Sequence, residues 1–166
     1  DGITPDVTFE NAQARERTQI LFNRANQLGG LVVGTGDLSE LALGWCTFNA
    51  DHMASYNVNG SVPKTLIADL VRAYAAQQHD EALSQALEAV LALPISPELI
   101  PGDDPQEVGQ LTEAVLGPYE VHDFYLYYAL RFGMGPAKLR FLARRAFADR
   151  YAPEALDEWL DRFFSR

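Results

Sequence analysis

Residues 30–47, G-L-V-V-G-T-G-D-L-S-E-L-A-L-G-W-C-T, constrain this chain more than any other stretch. Leu31, Val32 and Val33 form a short apolar, β-branched run, the pattern of a strand buried on both faces. Gly34 and Gly36 flank Thr35, so the backbone there can turn tightly and come close to another group. Asp37-x-x-Glu40 has the spacing of a capping box, with Asp37 as N-cap and Glu40 at N3, ahead of a short helix over 38–43. A strand that feeds a glycine turn and a helix N-terminus is a common way to build an anion or nucleotide site. On spacing alone, a turn that simply joins strand to helix accounts for the stretch as well.

Composition narrows the partners. The 166 residues are enough for one domain with a core, and an apolar content of 48% makes the chain globular rather than disordered. The formal net charge is −10, with the acids spread along the chain, which disfavours non-specific nucleic-acid binding. The lone cysteine, Cys46, has no partner for an internal disulfide, which fits a reducing cytoplasm. No apolar stretch is long enough to span a bilayer and no signal peptide is visible. The abrupt start at Asp1-Gly2-Ile3 and the close inside a helical pattern at Phe163-Phe164-Ser165-Arg166 lead us to expect a piece of something longer.

Along the chain, Thr8 is placed to cap a helix over 9–28, with Ala14, Leu21, Ala25 and Leu28 on one stripe and Gly29-Gly30 as its end. Asn11 and Arg15 are four apart and share a face; spacing alone favours a solvated polar face over a pair that holds a polar ligand. Residues 45–56 show neither helical nor strand period and carry Trp45, Thr47, Phe48, Asp51 and His52 in a long loop, either a binding surface or irregular cover. His79 and His122 do not lie at ligand spacing from His52, so all three histidines read as structural or surface. Residues 57–61 form a turn, Ser61 caps the next helix, and Pro63 fits its first turn. Leu66, Ile67, Leu70, Val71 and Tyr74 make that helix's buried stripe.

Lys64 is the odd residue. It sits in a first helical turn, where the macrodipole disfavours a cation unless an anion is bound there. A flexible surface lysine explains it equally. Asp80 caps a helix through 91, with Leu83, Leu87, Val90 and Leu91 inside. Pro94, Pro97 and Pro101 force an extended segment, and the acidic loop 102–105 follows as a lid or a linker. Helical patterns over 106–116, 119–132, 136–147 and 153–164 are separated by glycine or proline. Phe124, Tyr125, Tyr127 and Tyr128 read as core or as an oligomer surface.

Seven motifs then carry a resemblance: E-N-A-Q-A-R at 10–15, G-T-G-D-L-S-E-L-A-L-G-W at 34–45, D-H-M-x-x-Y-N-V-N at 51–59, V-P-K-T-L at 62–66, P-I-S-P-E-L at 94–99, G-P-Y-E-V-H-D-F at 117–124 and L-R-F-G at 130–133. In order and spacing they resemble glutamine-dependent NAD synthetase over essentially the whole chain. The resemblance implies an α/β fold, a parallel-sheet, adenine nucleotide alpha-hydrolase-like (ATP pyrophosphatase) domain of which this portion is mainly helical. It implies a ligase of NAD biosynthesis, an amidotransferase that adenylates the nicotinate carboxylate of deamido-NAD with ATP. Ammonia supplied from glutamine by a glutaminase domain then attacks the acyl-adenylate. Adenylation gives a carboxylate the leaving group it lacks, and the two anions held together call for cations and backbone donors. ATP and Mg2+ are therefore expected, the metal neutralising phosphate charge while keeping some waters. The implied protein is cytoplasmic and a homo-oligomer, at least a dimer, with no nucleic acid and no membrane among its partners.

Carried over residue by residue, the resemblance places Thr35, Lys64 and Ser96 beside ATP and Asn11, Arg15, Glu40, Trp45, Cys46, Thr47 and Phe48 beside deamido-NAD, with Glu40 also the candidate magnesium ligand. The family's S-G-G-x-D-S phosphate loop lies upstream of this region and is absent from these 166 residues. So are a lysine-containing segment expected beyond Arg166 and the glutaminase domain with its Glu-Lys-Cys centre, a role Cys46 has no partners to fill. Residues 1–166 are thus expected to be the C-terminal half of a synthetase domain, inactive on its own. Two other readings stand beside this one: another ATP-pyrophosphatase amidotransferase, such as a GMP-synthetase-like enzyme, and a non-catalytic helical interaction fragment.

Overall fold

A computed structural model describes residues 6–47, 49–50, 52–93, 113 and 116–166. Among them the chain is mainly helical, with one two-stranded sheet. The proline-rich segment, the loop 102–105 and nearly all of the helix expected over 106–116 lie outside the described residues.

Helix α1, Val7–Leu28, starts earlier than Thr8 suggests: the N-cap is Asp6, whose carboxylate accepts the Phe9 N–H at 2.9 Å, and Thr8 falls inside the first turn. Gly29, at φ 63°, ends it in the left-handed conformation that glycine takes without cost. Of the expected stripe only Ala14 is buried, while Leu21 and Leu28 are exposed, because α1 meets the rest of the described chain near its start.

The expected buried strand is also shorter and more open. Strand β1, Val33–Gly34, pairs in parallel with β2, Tyr56–Asn57, Val33 opposite Tyr56 and Gly34 opposite Asn57. Leu31 and Val33 are more than half exposed, so among the described residues nothing covers that face of the sheet. Strand β2 occupies what the sequence presents as the end of a loop and the start of a turn. A Cβ on Gly34 would lie 2.8 Å from the Ala54 Cβ, so glycine is what lets the two segments close up.

Helix α2, Leu38–Leu43, has the capping box in full: the Asp37 carboxylate accepts the Glu40 N–H at 2.8 Å and Glu40 reaches back to the Asp37 N–H at 3.4 Å. Helices α3, Lys64–Ala76, and α4, Glu81–Leu91, pack on each other. Asp80 caps α4, accepting the Ala82 and Leu83 N–H groups. The cap of α3 is not Ser61; Pro63 stands at N-cap and offers no side-chain hydrogen bond. In α3, Leu66, Leu70 and Tyr74 are exposed and only Ala75 is buried; in α4, Leu83 and Val90 are exposed as well.

The core lies in the last three helices, α5 (Tyr119–Phe132), α6 (Pro136–Ala146) and α7 (Pro153–Ser165). Val121, Tyr125, Leu139, Ala143, Phe147, Leu156 and Leu160 pack together, ringed by Phe124, Tyr128 and Trp159 among others. Tyr125 thus belongs to the core, its hydroxyl donating to the Leu156 carbonyl at 2.9 Å, whereas Tyr127 is exposed. Arg140 and Arg144 of α6 pair with Asp157 and Asp161 of α7. Helices α2 and α3 both pack on α5, so the bundle is the platform on which the polar cluster described next is mounted. No helix among the described residues is long and apolar enough to cross a membrane.

Candidate functional site

Strand β1 leads through Thr35 and Gly36 into the capped start of α2, and the start of α3 stands beside it. This arrangement brings two of the sequence candidates into contact. The Lys64 ammonium lies 2.7 Å from Glu40 Oε1 and 2.9 Å from Asp37 Oδ2, and 5.2 Å from the centre of the Tyr119 ring. Burial works to lower the Lys64 pKa, but the hydrogen bonds and charges of Glu40 and Asp37 overcome it and hold the ammonium above the ordinary lysine value. The awkward cation in the first turn of α3 is therefore paired with carboxylates of α2. Burial, helped by the same carboxylates, raises the Tyr119 phenol, so its ring faces the ammonium as a neutral group.

The backbone of that first turn is satisfied from a distance. The Lys64 N–H donates to Ser39 Oγ at 2.9 Å, and the Ser39 hydroxyl donates to Asp123 Oδ1. Asp123 Oδ2 accepts both the Thr65 N–H, at 2.9 Å, and the Thr65 hydroxyl, at 2.7 Å. Ser39 and Asp123 are buried. They replace the cap that Pro63 cannot supply and meet two of the donors that every helix start leaves open.

Thr35 stands exposed between two buried glycines, two residues before Asp37. Glu40 is only partly exposed, and among the described residues its Oε2 carries the long capping contact at 3.4 Å. A second grouping lies at the loop after α2. Thr47 donates to Glu10 of α1 at 3.5 Å, which brings the loop to the turn that carries Asn11. Trp45 is half-buried against Leu43, Leu116 and Tyr119, with the Arg166 guanidinium 5.7 Å from its ring. Cys46 Sγ lies 3.5 Å from His52 Nδ1. Asn11 is half-buried and Arg15 exposed on α1. Ser96 and Phe48 lie outside the described residues.

Sequence reasoning missed Asp37 as a partner of Lys64, and it missed Ser39 and Asp123 altogether. One signal for Asp123 was available: an acid among the apolar and aromatic residues 119–128 of a helix is buried only if it finds donors.

At the site, two short parallel strands of a mainly helical chain lead towards the starts of α2 and α3. A family model described as NAD synthase matches residues 3–133, and the chain belongs to that family. It is similar to the glutamine-dependent NAD(+) synthetase of Mycobacterium leprae, 49% identical over 149 residues, which cover 89% of this chain and 22% of the relative. The same enzyme of Mycobacterium tuberculosis (strain H37Rv) is 51% identical over 146 residues, covering 87% and 21%. The chain spans about a fifth of the length of these relatives. Among solved structures, glutamine-dependent NAD+ synthetase from Acinetobacter baumannii in complex with ADP aligns with 97% of this chain and 24% of its own, at 25% identity and a TM-score of 0.48.

Proposed function

We infer that this chain forms the C-terminal part of the synthetase domain of a glutamine-dependent NAD synthetase, within an ATP-pyrophosphatase-type parallel-sheet fold. The parent enzyme would amidate deamido-NAD through an acyl-adenylate, using ATP and ammonia derived from glutamine. The observation that carries this reading is the meeting of Lys64 with Glu40 and Asp37 at the starts of α2 and α3. An ammonium held above the ordinary lysine value at a helix start, beside a turn with two buried glycines, supports a place near a leaving pyrophosphate.

In this reading Lys64 faces the phosphates of ATP, Thr35 donates its hydroxyl where the glycines permit close approach, and Ser96 stands near the same nucleotide. Asn11, Arg15 and the loop residues Trp45, Cys46, Thr47 and Phe48 hold deamido-NAD, the indole of Trp45 offering a face to the nicotinate ring. Glu40 suits magnesium, which takes one or two protein carboxylates and fills its other positions with phosphate oxygens and water. The metal would supply neutralisation of phosphate charge. A GMP-synthetase-like amidotransferase is disfavoured by the family match, which covers residues 3–133.

The test is NAD formation by the complete protein from deamido-NAD, ATP, magnesium and ammonium, with xanthosine monophosphate as the competing acceptor. Lys64→Met should lose a charge-assisted contact worth about 1.5–3 kcal/mol, seen as a fall in kcat/KM for ATP. An unchanged ATP Michaelis constant and turnover would leave Lys64 a structural residue only. Amide formed on xanthosine monophosphate alone would replace the reading with its rival.

A further inference from the structure

The geometry points to Asp123 as a positioning residue: its buried carboxylate fixes the first turn of α3 to α2 and so sets where Lys64 presents its ammonium to the nucleotide phosphates. The inference rests on the ATP-facing role of Lys64 proposed above. Asp123 reaches the cluster from neither α2 nor α3 but from the bundle. One of its oxygens takes the Ser39 hydroxyl, which in turn receives the Lys64 N–H; the other takes the N–H and hydroxyl of Thr65. A single carboxylate on α5 therefore ties together Ser39, next in sequence to Glu40, and Thr65, next to Lys64. Those neighbours are the two groups that pair at 2.7 Å.

The location of the anion also suits the task. Carboxylate and macrodipole attract at a helix start, where Asp123 accepts the Thr65 N–H, while the Lys64 ammonium is left to Asp37 and Glu40. Pro63 has no N–H and no polar side chain, so this turn has no local cap to fall back on. Loss of the carboxylate should release the turn while the bundle beneath, built on Val121, Tyr125 and Leu160, stays packed. Displacement of a phosphate-binding cation by even 1 Å costs up to about a hundredfold in rate.

The experiment is a double-mutant cycle in the complete protein. Asp123→Asn keeps the shape and one acceptor but turns an N–H towards Ser39, whose hydroxyl proton then has no acceptor. We expect Asp123→Asn to lower kcat/KM for ATP by roughly tenfold or more. In a Lys64→Met background the same substitution should cost less than about twofold, because the group it positions is gone. Equal costs in the two backgrounds, or no cost in either, would overturn the inference and leave Asp123 a stabilising cap. Should Asp123→Asn fail to accumulate as folded protein, Thr65→Val in the same cycle carries the question. It removes one hydroxyl from Asp123, and a loss confined to the Lys64 background is again expected. If the unsubstituted protein makes no NAD, or Lys64→Met does not disturb ATP use, the functional reading falls first and takes this inference with it. A normal Lys64 effect with an additive Asp123 effect sinks this inference alone.

Discussion

Helices α5–α7, with the residue that ends α6, bury seven side chains in one cluster, whereas α3 and α4 bury one, Ala75. Both regions are amphipathic by pattern: Leu66, Leu70 and Tyr74 repeat along α3 as regularly as Val121, Tyr125 and Ala129 along α5. The difference is in what stands opposite. The bundle is three mutually adjacent helices whose apolar stripes face a common axis, so each supplies the cover the others need. Helices α3 and α4 pack chiefly on each other, and a two-helix layer leaves outer apolar surface behind. Periodicity reveals which face calls for burial; only the rest of the fold decides whether it gets it.

The sharpest way to break this comparison is to remove the same side chain from both regions. Leu160 is fully buried, and Leu160→Ala should cost about 2–5 kcal/mol in urea unfolding. Leu70 is 54% exposed, and Leu70→Ala should stay within about 0.5 kcal/mol of the unsubstituted chain. Similar losses at both positions would mean that the face of α3 is covered after all.

The same contrast explains what could be read in the sequence. Elements whose signals are local were legible: the Asp37-to-Glu40 capping box, the Asp80 cap, the Gly29 stop, and the limits of α5, α6 and α7 to within a residue. At α1 two cap-type residues stand two apart, and the first of them wins. The start of α3 was not legible because its cap comes from Ser39 and Asp123, one 25 and the other 58 residues from the donor it serves. Strand β2 has two residues, too few for any period to register. At the site, Lys64 stood out because it offends the macrodipole. That Glu40 and Asp37 answer the offence, 24 and 27 residues earlier, is a matter of tertiary placement.

A smaller effect probes the point where the sheet region is packed most tightly. The added methyl of Gly34→Ala would come within 2.8 Å of Ala54 Cβ and 3.3 Å of Asn57 Cβ, neither of which is the free end of a flexible side chain. The backbone of β1 or of residues 54–57 must move, at a cost of about 1–3 kcal/mol. Hydrogen exchange should report the loss at β1 and β2 and not in α5–α7. A variant as stable and as protected as the parent would show that the sheet region is more yielding than the bundle, reversing the expected rigidity of that contact.

The gentlest test uses one proton in the bundle. His122 is fully buried on α5, donates its Nε2–H to the Leu116 carbonyl at 2.7 Å, and stacks on Phe163 with ring centres 6.3 Å apart. Burial lowers its pKa below the ordinary histidine value; the Leu116 bond and the Asp123 charge oppose the shift, and Arg162 and Arg166 add to it. The unfolded chain therefore takes up this proton at a pH where the folded chain does not. Stability from this group is complete above the unfolded pKa of about 6.5 and is lost as pH falls below it towards the folded pKa. His122→Gln keeps a donor for Leu116 and cannot titrate. Protection of α5 amides, measured against α3 amides and corrected for intrinsic exchange, should fall between pH 7 and pH 5.5 in the parent and less steeply in the variant. Parallel pH dependences in the two proteins would assign the bundle's acid sensitivity to groups other than His122.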